Sequence, residues 1–264
     1  MKIKDKVFYV TGGVSGLGRA VVTDLLANDA LVCIMDREEL KGREIEQTHK
    51  GRVVFQKCDV RSTSDIEEAI KKSTSNWPEK RIGGLVHCAG VVMAGKTVSS
   101  TGKPWDYETF RTVVDINLNG TFNVVRLIAA HIVKSQPLTS TSDSDESEKG
   151  VMILTSSTSY QDGQMGQAAY ASSKGGVASL VLPLTRDLAQ FGIRVNAIAP
   201  SLFETAMSQG MSSKVRKNLL NVVEFPSRFG QAKDFSGLVL ECIRNEYLNG
   251  TVIRLDGGSR MGKL

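Results

Sequence analysis

The sequence predicts an α/β fold: a single-domain, Rossmann-like, doubly wound parallel sheet of about seven strands flanked by helices. Two observations predict it. Short apolar or β-branched runs alternate with helix-like segments from one end of the 264-residue chain to the other. Several of these runs are apolar at successive positions, which is typical of strands that are buried on both faces of a parallel sheet.

The predicted elements follow one another in order. Strands are predicted at residues 7–10, 30–35, 52–58, 84–88, 151–155, 194–198 and 251–255. Helices are predicted at residues 18–27, 38–50, 64–74, 110–134, 170–190 and 233–245. Ser64 and Glu67 form a capping box that would start the third helix. Pro183 lies inside the 170–190 segment, so we expect that helix to kink or end there.

Two stretches interrupt the alternation. Residues 136–149 are polar and low in complexity, which predicts a surface loop. Residues 201–225 follow the sixth strand, and by position we expect them to close over a ligand. No boundary divides residues 1–264, so we expect one domain with a mainly dinucleotide-binding half (1–90) and a catalytic and substrate-binding half (110–264).

Composition and charge exclude several classes of function. The net charge is +5 and the basic residues are scattered, so we expect no nucleic-acid partner. No apolar run approaches the roughly 20 residues of a membrane span. The N-terminus shows no signal peptide, which predicts a cytoplasmic protein. The last three residues, Gly-Lys-Leu, come close to the peroxisomal Ser-Lys-Leu signal, so a peroxisomal location is the alternative.

The cysteines and histidines do not predict a metal site. No CxxC pair occurs, and no histidine lies at ligand spacing from a cysteine. We therefore expect buried, reduced thiols at four positions, Cys33, Cys58, Cys88 and Cys242.

A glycine-rich turn predicts a dinucleotide site. The first strand leads directly into TGGVSGLG at residues 11–18 and then into a helix. Glycines at 12, 16 and 18 let the backbone approach a pyrophosphate, whose charge would rest on the helix N-terminus. Asp36 ends the second strand; its carboxylate would accept the ribose hydroxyls of NAD and repel the 2′-phosphate of NADP. NAD is therefore favoured over NADP, although Arg37 next to it would partly offset that repulsion.

The third and fourth strands end beside the same crevice, because carboxyl ends of neighbouring parallel strands converge there. Asp59 and Val60 follow the third strand, and Cys88-Ala89-Gly90 follows the fourth. Asp59 is expected at the adenine edge, with capping of the following helix as the alternative.

Tyr170 and Lys174 form the core of a candidate catalytic group. They lie four residues apart on a predicted helix, hence on one face. A neighbouring ammonium favours the phenolate of a tyrosine, which makes the pair an acid and base. Ser157, after the fifth strand, would bind the substrate oxygen. Asn117 is a poor helix former inside a helical run, and an irregularity there would hold a water that links Lys174 to solvent.

These elements together resemble the short-chain dehydrogenase/reductase family over essentially the whole chain. The resemblance implies that Tyr170 is the acid/base, that Lys174 lowers its pKa and binds the nicotinamide ribose, that Ser157 holds the carbonyl and that Asn117 completes a proton relay. The cofactor-binding residues expected from the motifs and the resemblance are Gly12, Ser15, Gly16, Leu17, Gly18, Asp36, Asp59, Val60, Cys88, Ala89, Gly90, Tyr170, Lys174, Pro200, Leu202 and Thr205.

The second half of the chain is similar to a narrower branch, the type 2 3-hydroxyacyl-CoA dehydrogenases, which are also 17β-hydroxysteroid dehydrogenases. The similar stretches include GQAAYASSKGG, IAPSLFET and LNGTVIRLDGGSRM. This branch implies NAD, a homotetramer and a 3-hydroxyacyl-CoA substrate. The chain departs from the pattern at His87, where the family usually has Asn, and at Ser201, where it usually has Gly; it also lacks an Arg-rich mitochondrial leader.

The leading hypothesis is an NAD(H)-dependent oxidoreductase that interconverts a secondary alcohol and a ketone, with 3-hydroxyacyl-CoA and 3-oxoacyl-CoA or a related hydroxy compound as the pair. A broad-specificity carbonyl reductase needs the same catalytic residues and is the first alternative. A non-catalytic NAD-binding regulatory or assembly subunit is the second, because a fold alone does not prove a reaction.

Overall fold

The computed structural model describes residues 1–136, 148–204, 213–260 and 262, with the backbone alone at 213–215. Most of the 136–149 loop, Thr205, part of the 201–225 segment and the last two residues of the chain lie outside the described residues.

The described strands form one parallel sheet in the order β3-β2-β1-β4-β5-β6-β7. The strands are β1 (Val7–Thr11), β2 (Leu31–Asp36), β3 (Val53–Lys57), β4 (Ile82–His87), β5 (Gly150–Thr155), β6 (Ile193–Pro200) and β7 (Val252–Leu255). Every residue of β1, β4, β5 and β6 is buried, which explains their continuous apolar character. The predicted α/β class is confirmed.

Helices cover both faces of the sheet. They are α1 (Gly16–Ala27), α2 (Glu39–Thr48), α3 (Thr63–Asn76), α4 (Tyr107–Val114), α5 (Gly120–Ser135), α6 (Ser159–Asp162), α7 (Ala168–Ala189), α8 (Ser213–Leu220) and α9 (Ala232–Arg244). One apolar core lies between the sheet and α3, α5 and α7, through residues such as Ile128 and Val177. The other core lies on the opposite face with α1, α2 and α9, through residues such as Val22 and Phe235.

Two of the predicted helix signals were wrong. Helix α3 begins one residue earlier than predicted, because the Ser62 hydroxyl, not that of Ser64, caps it by accepting the Asp65 N–H at 3.2 Å. Helix α7 does not end at Pro183 but continues to Ala189. Buried Val181 and Leu184 lie on either side of the proline, and packing against the core holds the helix together there.

The sheet order creates a crevice at its carboxyl edge. After β3 the chain crosses over and places β4 on the other side of β1. Helices leave the two halves of the sheet in opposite directions at such a switch point, and ligands bind in the gap. The ends of β1, β2, β4, β5 and β6 therefore supply the side chains of the candidate site.

Candidate active site

The glycine turn after β1 is packed too tightly for side chains. Gly12 has φ +65° and Gly16 has φ +51°, the left-handed region that favours glycine. A Cβ at Gly18 would collide with the carbonyl oxygen of Gly12. The Ser15 side chain makes no cap hydrogen bond to the described residues, so the first N–H groups of α1 remain available to an anion.

Asp36 lies at the far side of this turn. Its two carboxylate oxygens accept the backbone N–H of Val14 at 3.2 Å and of Glu38 at 3.1 Å. Each oxygen keeps a lone pair for another donor such as a ribose hydroxyl. The acidic group is thus fixed in place at the end of β2, as a receptor for a ribose diol requires.

A cleft of about 850 Å³ runs along these residues. The predicted cofactor residues that line it are Gly12, Ser15, Gly16, Leu17, Gly18, Asp36, Asp59, Val60, Cys88, Ala89 and Gly90. A cleft of this volume that is lined by a helix N-terminus without a side-chain cap and by the Asp36 carboxylate fits a dinucleotide.

Asp59 does not cap α3. Its carboxylate instead binds the Arg61 guanidinium, with Nη2 to Oδ2 at 2.7 Å and Nε to Oδ1 at 3.0 Å. The hydrogen bonds from Arg61 lower the pKa of Asp59. The capping alternative is therefore wrong, and Asp59 stands as an ionised acceptor on the wall of the cleft.

A second cavity of about 370 Å³ adjoins the cleft and contains the candidate catalytic group. Ser157, Tyr170, Lys174, Pro200 and Leu202 all line it. Leu17, Cys88 and Gly90 line both the cleft and this cavity, so the two spaces meet at these residues. We call this cavity the substrate pocket.

Lys174 is buried, with 4% of its surface exposed, at the base of the substrate pocket. Its ammonium Nζ donates to the carbonyl oxygen of Thr155 at 2.7 Å and lies 5.8 Å from the ring centre of Tyr170. Burial lowers the pKa of Lys174 to about 8. The amine can therefore release and regain a proton near neutral pH.

Burial raises the pKa of the Tyr170 phenol, and the hydrogen bond with the Ser157 side chain partly offsets this effect. The pKa of the phenol is raised overall because desolvation is the largest effect. That Lys174 lowers it, as the family resemblance implies, stays a prediction. Tyr170 is protonated at neutral pH and can donate its hydrogen to an oxygen held beside Ser157.

Asn117 lies in a π-helical segment, Asp115–Asn119, between α4 and α5. The predicted irregularity at this residue is confirmed. Its side chain accepts the Val91 N–H and donates to the Val91 carbonyl, both at 2.8 Å, and also donates to the Ser173 hydroxyl at 3.0 Å. The segment thus ties the chain after β4 to the helix that carries Lys174.

Close approach of α7 makes this possible. A Cβ at Gly176 would lie 2.7 Å from the Leu118 side chain, so only a glycine lets α7 come this near. On the other side, a Cβ at Gly90 would lie 3.1 Å from Asn117 Oδ1 and 3.3 Å from Lys174 Nζ. Gly90, Asn117 and Lys174 therefore form one packed group.

Sequence reasoning missed much of the substrate pocket. Its remaining walls include Val92, Gln164, Gln167, Phe203 and Phe229. Phe203 lies in the 201–225 segment, whose position predicts closure over a ligand. The other four residues come from loops and from a distant part of the chain and follow no periodic pattern, so no sequence signal marks them. The expectation of fully buried thiols was also wrong at one position: Cys88 is partly exposed, at the junction of the two cavities.

The departure at Ser201 has a structural explanation. Its hydroxyl lies 2.9 Å from the Ser259 hydroxyl, which links the end of β6 to the C-terminal segment. Its backbone N–H donates to the Leu255 carbonyl at 3.1 Å. The side chain is thus used for a contact outside the substrate pocket's catalytic group.

The described residues contain neither a metal cluster nor a membrane-spanning helix. Among them, no cluster of three or more His, Cys, Asp or Glu side chains could hold a metal ion. No helix in the described ranges has the length and apolar character to cross a membrane.

Comparison with known proteins decides the family. The model of the short chain dehydrogenase family matches residues 6–216. The chain belongs to the short-chain dehydrogenase family. Its members' chemistry makes it an oxidoreductase that acts on CH–OH groups, with a nicotinamide cofactor.

Similar proteins span the whole chain. The 3-hydroxyacyl-CoA dehydrogenase type-2 of Homo sapiens is 39% identical and covers 98% of this chain and 97% of its own. The ipsdienol dehydrogenase of Ips pini is 36% identical, and the match covers 98% of this chain and 99% of its own. The crystal structure of a 3-hydroxyacyl-CoA dehydrogenase type-2 from Mycobacterium avium superimposes with a TM-score of 0.89 at 32% identity, covering 98% of this chain and 97% of that one.

Proposed function

We propose that this short-chain dehydrogenase uses NAD(H) to interconvert a 3-hydroxyacyl-CoA and the corresponding 3-oxoacyl-CoA, or a related secondary alcohol and ketone. The observation that carries the proposal is the meeting of the dinucleotide cleft and the substrate pocket beside Tyr170, Lys174 and Ser157. Similarity to the type-2 3-hydroxyacyl-CoA dehydrogenases supports the substrate class.

NAD is proposed over NADP because of Asp36. Its carboxylate lies in the cleft with both oxygens fixed by backbone N–H groups. A 2′-phosphate would meet this negative charge at close range, whereas two ribose hydroxyls would donate to it. The nicotinamide of the bound cofactor would supply or receive the hydride.

The residues of the chain would move the proton. Ser157 would donate a hydrogen bond to the substrate oxygen and so stabilise negative charge that develops on it. Tyr170, a phenol whose pKa burial raises further above neutral pH, would donate its hydrogen to that oxygen in ketone reduction and take it back in alcohol oxidation. Lys174, with a pKa of about 8, would stabilise the phenolate and restore its proton. Asn117, through its hydrogen bonds to Val91 and Ser173, would hold the helix that carries Lys174 in place.

The experiment follows NADH absorbance with purified protein. We expect oxidation of 3-hydroxybutyryl-CoA with NAD and a higher kcat/KM for this thioester than for a free alcohol of the same acyl chain, because the CoA part adds binding energy. Absence of turnover with thioesters, free ketones and steroids alike would contradict the proposed function.

A free alcohol is the second candidate. The similarity to ipsdienol dehydrogenase, whose name specifies an alcohol without a thioester, favours it. The apolar side of the substrate pocket, with Val92, Phe203 and Phe229, suits such a compound. Equal or higher kcat/KM for the free alcohol in the experiment above would select this candidate, a broad carbonyl reductase.

We also propose a homotetramer. Exposed apolar side chains on α4, α5 and α7, such as Tyr107, Phe122 and Leu182, support assembly. A cytoplasmic location stays a prediction, with the peroxisome as its alternative.

A further inference from the structure

His87 is a buried histidine that the proposed mechanism does not use. It is the last residue of β4, is 1% exposed, and lies in register between Thr11 of β1 and Leu154 of β5. Its Nδ1 is 2.9 Å from the Thr11 hydroxyl. The three residues that follow it, Cys88, Ala89 and Gly90, line the cofactor cleft, so the imidazole lies directly before a wall of that cleft.

The hydrogen bonds of Thr11 determine the tautomer of His87. The Thr11 oxygen accepts two backbone N–H groups, those of Cys88 and Ala89, each at 3.1 Å. A hydroxyl has two acceptor positions and one hydrogen, so both lone pairs are engaged. The Cys88 N–H is shared with the Thr11 backbone carbonyl oxygen at 3.2 Å. With its lone pairs facing the two N–H groups, we assign the hydroxyl hydrogen to His87 Nδ1, which places the ring N–H on Nε2.

The surroundings of the ring agree with this neutral tautomer. Burial lowers the pKa of His87 to about 3, and the nearby charge of Lys174 acts in the same direction. Nε2 is buried and has no partner among the described residues. Because its N–H gains nothing there, the polar contribution of this ring comes from Nδ1.

The turn that Thr11 holds is in direct contact with the cofactor loop. A Cβ at Gly12 would lie 3.0 Å from the Ala89 nitrogen and 3.1 Å from the Cys88 carbonyl carbon. At the other end of this turn, Gly90 lies against the side chains of Lys174 and Asn117. A small movement of residues 88–90 would therefore disturb the cleft and the substrate pocket where they meet.

We propose that His87 is a positioning residue for the cofactor: by accepting the Thr11 hydroxyl hydrogen it directs the Thr11 lone pairs to the Cys88 and Ala89 N–H groups and fixes that turn against Gly12. Without an acceptor at position 87, the hydroxyl hydrogen competes with one of these N–H groups and the turn loosens. The proposal rests on the proposed use of NAD(H).

The test is a double-mutant cycle on NADH affinity, measured by titration calorimetry. His87→Leu removes the acceptor, and Thr11→Val removes the hydroxyl at nearly constant volume. We expect each to raise the Kd for NADH about 10-fold, as for loss of a buried hydrogen bond. Because both act through one network, the double variant should be about as weak as either single one instead of about 100-fold weaker.

Conservative variants provide the control. Thr11→Ser keeps the hydroxyl and His87→Asn keeps an acceptor, so both should bind NADH within about 3-fold of the wild type. If His87→Leu does not fold, the Thr11→Val and Thr11→Ser pair tests the same hydroxyl from the other side.

The outcomes separate the two proposals. A wild-type protein that fails to bind NADH would refute the proposed cofactor. Wild-type binding together with an unchanged Kd in His87→Leu, or a lowered melting temperature as the sole effect, would overturn the role of His87. Additive losses in the double variant would overturn it as well.

Discussion

Burial controls the charges of the candidate active site. Lys174 and His87 are buried and Tyr170 is half-buried, and in each case desolvation is the largest cause of the pKa shift. The lysine becomes easier to deprotonate and the tyrosine harder, so the pKa values of the two groups, which lie close together for the free side chains, move apart. At neutral pH the phenol therefore carries the hydrogen that it can give to a substrate oxygen, and the amine, with a pKa of about 8, can exchange a proton with its surroundings.

The lowered pKa of Lys174 predicts a pH-dependent difference in stability between the wild type and Lys174→Met. Below pH 8 the folded wild type contains a buried ammonium, a penalty that the variant lacks. Between pH 8 and 10.5 the unfolded chain holds a proton that the folded chain has released, so wild-type stability rises with pH. We expect a gain of roughly 3 kcal/mol relative to the variant over this range, measured by urea unfolding. A difference independent of pH would contradict the burial of a titrating amine.

Asp36 predicts the choice of cofactor. Asp36→Asn removes the charge that repels a 2′-phosphate, so the ratio of kcat/KM with NADH to that with NADPH should fall at least about 10-fold. Asp29→Asn is a matched control, because it removes one exposed charge outside the cleft, and it should leave the ratio unchanged. An equal change of the ratio in both variants would show that the net charge of the protein, and not contact between Asp36 and the cofactor, determines the choice between NADH and NADPH.

At the scale of single elements, the first turn of α1 predicts a contrast between two glycines. Gly18→Ala drives a methyl group into the Gly12 carbonyl and should weaken NADH binding about 100-fold or more. Gly237→Ala adds a methyl group to the exposed face of α9, where no described atom beyond the neighbouring backbone of the helix lies within 4 Å. This variant should stabilise the protein by about 0.5–1 kcal/mol. Titration calorimetry measures the Kd for NADH of Gly18→Ala, and thermal melting measures the stability of Gly237→Ala. Wild-type affinity for NADH in Gly18→Ala would contradict the assignment of this cleft as the cofactor site.

The elements also show where sequence reasoning reaches its limit. The predicted strands were found because runs buried on both faces are continuously apolar. The predicted helix at 110–134 proved to be α4, a π-helical segment and α5. Asn117 marked the break, but its form depends on hydrogen bonds to Val91 and Ser173, far away in sequence.

For the whole molecule, strand order places the predicted motifs together. The residues expected to bind the cofactor, apart from Thr205, which is not described, line the cleft or the substrate pocket. The residues that sequence did not predict are pocket walls and supports. Arg254 of β7, for example, binds Asp162 at 2.6 Å and Asp256 at 2.7 Å, and so braces α6 beside Ser157 from the far edge of the sheet. Such a contact joins distant segments and leaves no local pattern.

The account depends most on proton donation by Tyr170, and Tyr170→Phe tests it most directly. The variant keeps the ring and removes the hydroxyl, so cofactor binding should stay within about 3-fold of the wild type. The kcat/KM for 3-hydroxybutyryl-CoA should fall at least about 100-fold, as expected for loss of a general acid and base. Steady-state rates measured by NADH absorbance, alongside the Kd for NADH, decide the matter: undiminished turnover by the phenylalanine variant would contradict the mechanism.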